Sequence, residues 1–410
     1  MNMLDNLMMT RNMKTTKNDR NYYCSYKFKF LKIDAETFTT YNCHAASPHS
    51  IDFEWLKQNP GRLFNNQTSL SERQMMLRNE RNSSCEPNCW SAEDVGGVSP
   101  RIVQQGYHKT HEIVDTKPEV IDLTLNSDCN LTCSYCCREF SNAWRQDLLS
   151  HGSYNVQDPD RYKITDSDKV RLKLGQKGKK QSNKYQLLLD EVKLNSSNLK
   201  ELVITGGEPF LDNDLYRTLI DFDLPIESQK IIYTGLGVNL KRFGKIVEQL
   251  REIPNIRIRI SAENTGKFLE FNRYGLRCQD AVEKIKLLDQ YQVEYEFHST
   301  ITNLSIFDFV NFYKNTVGSK NCILTFGYSP RFLAPFVLDN SSKNQIKSDI
   351  GILPEDFQEK IINAISHSPE EQDKVDCKNF LLEFCRRRKD LNLNIFPKTF
   401  LEWLNITDVV

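Results

Sequence analysis

Cys129, Cys133 and Cys136 stand at C-x3-C-x2-C in one short segment, Asp128-Cys129-Asn130-Leu131-Thr132-Cys133-Ser134-Tyr135-Cys136-Cys137. Three thiolates at this spacing can converge from a single loop on one metal centre. Sulfur is a soft donor, so the loop selects zinc or iron–sulfur over hard cations. A closed structural site wants four protein ligands. Three ligands around a four-iron cubane leave one iron open, and an open metal position is what catalysis needs. Competing readings are a zinc knuckle completed by Cys137 or a distant residue, and a chance grouping of unligated cysteines. The spacing favours iron–sulfur.

A second chemical element is Thr205-Gly206-Gly207-Glu208-Pro209. Paired glycines let the backbone approach a ligand closely. Glu208 adds an anion suited to an ammonium group. A third element is N-terminal: Cys85-Glu86-Pro87-Asn88-Cys89-Trp90 repeats C-x3-C, with Cys24 and Cys43 upstream. Four thiolates from a small module could close a tetrahedral or cubane site. Of the other cysteines, Cys377 and Cys385 lie eight apart on an expected helix and read as buried small apolar residues. Cys278 and Cys322 are scattered.

These residues must be held by regular elements. Six short apolar runs recur from about residue 118: 120–125, 201–209, 229–237, 256–264, 293–303 and 322–330. Between them, stretches such as 240–253 and 281–291 carry apolar residues near i, i+3, i+4 and i+7. Alternating strands and helices imply parallel strands with helical crossovers. Six units suggest a partial (β/α)6 TIM-like barrel, in which the chemistry sits where strands end and loops begin. The C-x3-C-x2-C loop follows the first expected strand and the Gly-Gly-Glu turn ends the second.

Around that core we expect a loose tail over 1–20 and a cysteine-rich module over 21–115 whose lean apolar content a metal would support. The barrel covers 116–335 and a helical extension 336–410. Ser71 begins a Ser-x-x-Gln pattern that predicts a helix start. The Lys- and Gly-rich part of the 138–184 insertion, and Arg386-Arg387-Arg388, read as solvated faces.

Composition bounds the function. In 410 residues, Lys+Arg and Asp+Glu are 54 each, so net charge gives no bulk attraction to nucleic acid or anionic membrane. Hydrophobic residues at 39% are too many for a disordered chain. No apolar run is long enough to span a membrane or to serve as a secretory h-region. We therefore expect a cytoplasmic protein, where clustered cysteines bind metal or do catalysis more often than they form disulfides.

The cysteine triplet and the GGEP turn, in that order, resemble the radical S-adenosylmethionine (SAM) enzymes over about residues 118–335. The resemblance implies that Cys129, Cys133 and Cys136 hold a [4Fe–4S] cluster whose open iron is chelated by the amino and carboxylate groups of SAM. Reductive cleavage of SAM then yields a 5′-deoxyadenosyl radical that abstracts hydrogen from a substrate. It also implies roles for SAM contacts: Tyr135 near adenine, Gly206, Gly207 and Glu208 at the methionyl amino group, and Ser261, Glu263 and Asn303 at the ribose or carboxylate. Arg273 would pair the carboxylate through its planar fork. Thr234, Gly235, Gly327 and Tyr328 would shape the backbone nearby. We expect the insertion over 138–184 to act as part of a lid, since the radical must be kept from water.

The N-terminal module resembles the twitch or SPASM-type auxiliary-cluster modules of that superfamily, with Glu93, Gly96, Ser99 and Arg101 following the cysteine pair. Its position before the barrel departs from the better-known members. The resemblance implies a second iron–sulfur cluster on Cys24, Cys43, Cys85 and Cys89, with structural zinc as the alternative. It further implies an electron donor of flavodoxin or ferredoxin type and a peptide or small-molecule substrate. Alternative functions are a cysteine-rich zinc-binding structural protein, radical modification of a nucleoside or tRNA, and a degenerate SAM-binding barrel. His298 reads as structural, and Cys322 as packing.

Overall fold

The computed structural model describes residues 22–44, 46–94, 99, 101–102, 115–157, 160–170, 172 and 182–407. The expected tail over 1–20, Gly96, and the basic run over 173–181 lie outside the described residues. The chain divides into two compact units. The first is Met1–Asn126, Lys179–Ile204 and Arg217–Lys230; the second is Ser127–Gly178, Thr205–Tyr216 and Ile231–Val410.

In the first unit, strand β1 (Phe30–Asp34) buries Phe30, Leu31 and Ile33. It pairs antiparallel with β2 (Thr39–Tyr41), which in turn pairs with β3 (His49–Ser50). On its other side β1 runs parallel to β4 (Val120–Thr124), with Phe30 opposite Val120 and Asp34 opposite Thr124. β6 (Glu201–Thr205) is the next neighbour of β4. The cysteine-rich segment is thus tied by backbone hydrogen bonds to the first of the six expected strands. The helix expected to start at Ser71 begins earlier, at Gln67–Leu77, because the Asn66 side chain caps it by accepting from the Ser69 amide at 3.0 Å.

The second unit orders its strands β11 (Cys322–Phe326), β10 (Glu294–Ile301), β8 (Ile256–Ser261) and β7 (Gln229–Thr234), the last contributing residues 231–234. β8 and β11 both run parallel to β10. Helical crossovers make this possible. Asn239 caps the helix Leu240–Leu250, which buries Phe243, Val247 and Leu250 at helical spacing. The helix Cys278–Gln290 buries Ala281 and Leu288, and draws in Lys284, whose ammonium donates to the Leu236 carbonyl at 2.8 Å. A short antiparallel pair, β5 (Thr132–Cys133) with β9 (Arg273–Tyr274), stands apart from these strands. All six expected strands are present, in a mixed α/β fold with a large, mostly parallel sheet. The strand order is open at β11, and closure into a barrel is not shown.

One surface expectation is corrected. Only Arg386 of the arginine run is solvated. Arg387 and Arg388 have side-chain exposures of 0% and 3% and pair with Asp147. Their guanidinium planes lie over Tyr154 and Phe384 respectively, each 3.9 Å from the ring centre. The described part of the insertion also carries a buried aromatic group. Trp144, Tyr154 and Tyr162 are buried and pack on Phe332, Phe380 and Phe384. This part is an internal buttress, because its large aromatic rings find apolar partners on the helix Glu371–Arg387. Residues 158–159, 171 and 173–181 lie outside the described residues.

Candidate active site

The cysteine loop of the second unit is pinned at every turn. Backbone pairing sets Cys133 opposite Arg273 and Thr132 opposite Tyr274. The Ser134 amide donates to the Asn272 carbonyl at 2.8 Å, and its hydroxyl to Asn272 Oδ1 at 2.7 Å. Trp144 Nε1 donates to the Cys133 carbonyl at 3.0 Å, Ser141 Oγ to the Leu131 carbonyl at 2.8 Å, and Arg388 Nε to Thr132 Oγ1 at 3.1 Å. Such bonds fix a loop that would otherwise be free to move. Cys129 and Cys136 are half-buried, whereas Cys133 and Cys137 are buried.

Burial raises every thiol of the loop. Cys133 and Cys137 are pushed up to about 11, and Cys129 and Cys136 are also raised. After burial, the neighbouring sulfurs Cys137, Cys133 and Cys129 add to the rise at Cys136. Burial thus favours the protonated sulfurs, and a metal held by this loop would displace those protons. Arg161 Nη2 stands 3.5 Å from Cys137 Sγ, so this fourth sulfur has a partner of its own.

The Gly-Gly-Glu turn is joined to this loop through backbone. The Glu208 amide donates to the Asp128 carbonyl at 2.7 Å. A Cβ on Gly207 would stand 2.4 Å from that carbonyl oxygen and 2.7 Å from the Ser127 carbonyl carbon. Gly206 has φ +136, a conformation side chains disfavour. The turn therefore needs both glycines for close approach and for its backbone path.

Glu208 departs from its expected role. One carboxylate oxygen accepts from Thr234 Oγ1 at 2.8 Å and the Phe210 amide at 3.2 Å. The other accepts from the Gly235 and Gly237 amides, each at 3.0 Å. These four bonds use the carboxylate's lone-pair positions. Burial raises its pKa, with the four donors opposing. Glu208 holds the exit of β7 against the exit of β6, and has no acceptor site left for an ammonium.

Tyr135, Glu263 and Arg273 meet as one buried network. Arg273 Nη2 donates to Glu263 at 2.8 Å and to the Tyr135 hydroxyl, which lies 3.2 Å from Glu263 Oε2. Arg273 Nη1 stands 3.9 Å from Cys133 Sγ. Burial works against the guanidinium charge, and Glu263, Tyr135 and Cys133 outweigh it, so its pKa is raised. Its Nε–H has no partner among the described residues. Ser261 is half-buried opposite His298. Burial, then Arg259 and Arg273, lower His298 to about 4, so its imidazole is neutral. His298 presents its ring edge-on to Tyr233 at 5.5 Å.

Asn303 does not join this group. It is fully buried, and its amide donates to the carbonyls of Phe332 at 3.0 Å and Val337 at 3.3 Å and to Cys377 Sγ at 3.4 Å. It braces the chain after β11, where a ribose has no access. Cys377 is buried as expected, while Cys385 is half-buried. Tyr328 is half exposed.

The first unit gathers the N-terminal cysteines. Cys24, Cys85 and Cys89 are buried in one cluster with Tyr23, Phe28, Met76 and Trp90. Cys43 is also buried and acts electrostatically on Cys85. Burial pushes Cys24 and Cys85 up to about 11. Glu93, Ser99 and Arg101 close into a buried network: Arg101 Nε bonds Glu93 at 3.0 Å, and Ser99 bonds the same oxygen. Arg101 Nη1 donates to the Tyr23 carbonyl at 3.1 Å, beside Cys24, and its guanidinium covers Trp90, beside Cys89. Glu93, Ser99 and Arg101 thus form one network against Tyr23 and Trp90, the chain neighbours of Cys24 and Cys89. Gly96 lies outside the described residues.

Among the described residues, no group of three or more His, Cys, Asp or Glu side chains could hold a single metal ion. The donor sets nonetheless fit iron–sulfur clusters in chemistry. Each consists of soft thiols, and a cubane attaches each thiolate to a different iron, so the sulfurs need not close on one point. Periodicity missed Trp144, Arg388, Lys27 and Glu72, of which Arg388 and Glu72 come from distant segments; their types alone carry no signal of it.

No family model matches the chain, and neither does any curated protein. Solved structures similar to it include anSMEcpe with bound AdoMet, at 17% identity over 59% of this chain and 61% of that one, with a TM-score of 0.38. Another is SuiB of Streptococcus suis bound to S-adenosylmethionine, at 15% identity over 72% of this chain and 61% of that one, TM-score 0.33. SuiB bound to the precursor peptide SuiA gives 12% identity over 70% and 59%, TM-score 0.30. The chain thus spans about 60% of the length of these structures. No described helix is long and apolar enough to cross a membrane.

Proposed function

We propose that this chain is a cytoplasmic radical SAM enzyme that modifies a peptide or small-molecule substrate, with oxidation as the outcome. The observation that carries the reading is the joining of the Gly206-Gly207-Glu208 turn to the cysteine loop, through the Glu208 amide and the Asp128 carbonyl at 2.7 Å. Two motifs that are about 70 residues apart in sequence meet backbone to backbone, as a single cofactor site requires.

Cys129, Cys133 and Cys136 would hold a [4Fe–4S] cluster. When bound, that cluster supplies an electron to the sulfonium of SAM and yields the 5′-deoxyadenosyl radical. The backbone of Gly206 and Gly207 would receive the methionyl ammonium, while Glu208 keeps the Gly235–Gly237 turn in place. Arg273 keeps one buried N–H, at Nε, for a carboxylate. Tyr135, locked by Glu263 and Arg273, offers its ring to adenine, and Ser261 its hydroxyl to a sugar or carboxylate. Cys24, Cys43, Cys85 and Cys89 would close a second, fully ligated cluster suited to passing an electron. A flavodoxin- or ferredoxin-type donor would reduce the first.

Anaerobic iron–sulfur reconstitution, then reduction with SAM, tests this. Wild type should form 5′-deoxyadenosine, and Cys133→Ala should not. Retention by the variant removes the ligand assignment. Zinc without iron or sulfide in the oxygen-protected protein removes the catalytic reading altogether.

A further inference from the structure

Strand β11 (Cys322–Phe326) has a single neighbour, β10. Two bonds fix the phase of that pairing. The Phe297 amide donates to the Asn321 carbonyl, and the Gly327 amide to the Ile301 carbonyl, each at 2.9 Å. In a parallel ladder, alternate residues turn both backbone groups to the same neighbour. Ile323 and Thr325 therefore face β10, and the N–H and C=O groups of Cys322, Leu324 and Phe326 point the other way. Among the described residues, these outward groups take no hydrogen-bond partner. All of β11 is half-buried, whereas the interior strand β8 alternates buried and half-buried residues. Free edges are normally guarded by a charge, a proline or a bulge. From Asn321 to Ser329 there is no charged side chain and no proline. The register with β10 runs unbroken from Phe297↔Cys322 to Ile301↔Phe326. The edge is therefore unguarded and chemically ready to pair.

We propose that the free edge of β11 docks an extended peptide, which adds to the sheet as a further strand. This takes the peptide from the two substrate classes of the proposed function, and rests on that reading for what happens to the peptide once bound. The outward groups recur every second residue, about 7 Å apart. An extended backbone presents donors and acceptors at that spacing, and such bonds give affinity while side chains give specificity. Position favours a substrate over a second copy of the chain. β8, β10 and β11 are parallel, so their carboxyl ends lie together. Register runs from Ser261 to His298 to Ile323, so a guest strand lies three strand spacings, about 14 Å, from Ser261. One end of the guest then points to the end of the sheet where β8 leads into Glu263, the partner of Arg273. The two faces differ. Guest side chains beside Ile323 and Thr325 join His298, Thr300 and the Arg259–Glu296 pair. Those beside Leu324 and Phe326 join Phe297 and Ile301, both buried. The peptide that fits alternates polar and apolar residues.

The test selects a phage-displayed library of short linear peptides on the full chain, reconstituted anaerobically and supplied with SAM. Selected peptides are then synthesised, and amide exchange is followed residue by residue. They should alternate polar and apolar side chains and slow exchange at Cys322, Leu324 and Phe326, with Ile323 and Thr325 unchanged. Leu324→Pro removes the central outward N–H and leaves the bonds to β10 in place. Its binding should weaken about tenfold, the loss of one backbone hydrogen bond, with an unchanged circular-dichroism melt. If the variant melts early, exchange in wild type alone decides. Peptides that leave the three amides unprotected, a library that yields no binder, or full binding by folded Leu324→Pro overturns the proposal. Protection that rises with protein concentration in the absence of peptide places a second copy on the edge and overturns it too. Formation of 5′-deoxyadenosine by the same preparation reports on the radical reading, so the two failures are told apart.

Discussion

The two cysteine groups solve opposite problems. The second unit draws three sulfurs from eight consecutive residues, 129–136, and leaves Cys129 and Cys136 half-buried. The first unit draws four sulfurs from segments about 65 residues apart at the extremes and buries all of them. One site is local, open and braced by backbone. The other group is non-local, buried and flanked by paired ions, Lys27 with Glu72 and Arg101 with Glu93. An open site can take a substrate into its coordination sphere, whereas a closed one can only fold the chain or move electrons. As proposed ligand sets, the two groups differ in number and in burial.

The contrast is most exposed at Gly207. Gly207→Ala puts a methyl into the backbone of Ser127 and Asp128, where no side chain can turn aside. We expect a loss of about 3 kcal/mol or more, since overpacking against rigid structure is costly. The local site should lose 5′-deoxyadenosine formation while the buried Cys24, Cys85 and Cys89 of the first unit stay protected from thiol reagents under native conditions. Denaturant midpoints, the 5′-deoxyadenosine assay and thiol labelling check this, and exposure of those three cysteines together with loss of the product would break the separation.

Acid should strike the closed site. Burial pushes the Glu72 carboxyl up, but His49, Lys27 and Ser84 outweigh it and hold it at about 2. A carboxyl depressed in the folded state contributes stability that is present above its unfolded value and lost as pH falls through the folded one. The window therefore runs from about pH 4.5 down to about 2, and the contribution is on the order of 3 kcal/mol. Denaturation of Glu72→Gln between pH 6 and 2 should show a flatter acid limb than wild type. An identical limb would mean that the ion pair carries no such linkage.

Arg388 and Arg386 sharpen the picture at the local site. Arg388→Ala strips a buried cation from Asp147 and Thr132 and should cost about 3 kcal/mol. Arg386→Ala changes an exposed i, i+3 pair and should leave the denaturation midpoint unchanged. Equal effects from these neighbours would refute the burial pattern of the helix end. The smallest expected change concerns His298, whose imidazole should titrate near 4 rather than near 6.5 by NMR, because burial and two guanidiniums oppose its proton.

Much of this was legible before folding. The six strand runs carry alternating or continuous apolar residues, and each became a strand. The helices over 240–253 and 281–291 were readable from their period. Both cysteine groups and the glycine turn stood out by residue type and spacing, whereas Tyr135, Glu263 and Arg273 were singled out only through the resemblance and meet in the fold as one network. The errors fell where partners are distant. Asn303 ends β10 as expected, but chain after β11 covers it. Arg387 and Arg388 look like a solvated run because charge predicts exposure only when no carboxylate or aromatic ring comes to meet it. Glu208 has the right charge for an ammonium, yet the amides of Gly235 and Gly237 reach it first.

The sequence by itself determined which atoms can do chemistry: soft sulfur in threes and fours, a glycine pair able to approach a neighbour, and strands and helices of definite period. Those are local properties, carried by composition and spacing. Tertiary structure alone decided which of these atoms remain available. Lone pairs, N–H groups and charges are consumed by whatever folding brings alongside, and that depends on contacts between residues tens to hundreds of positions apart.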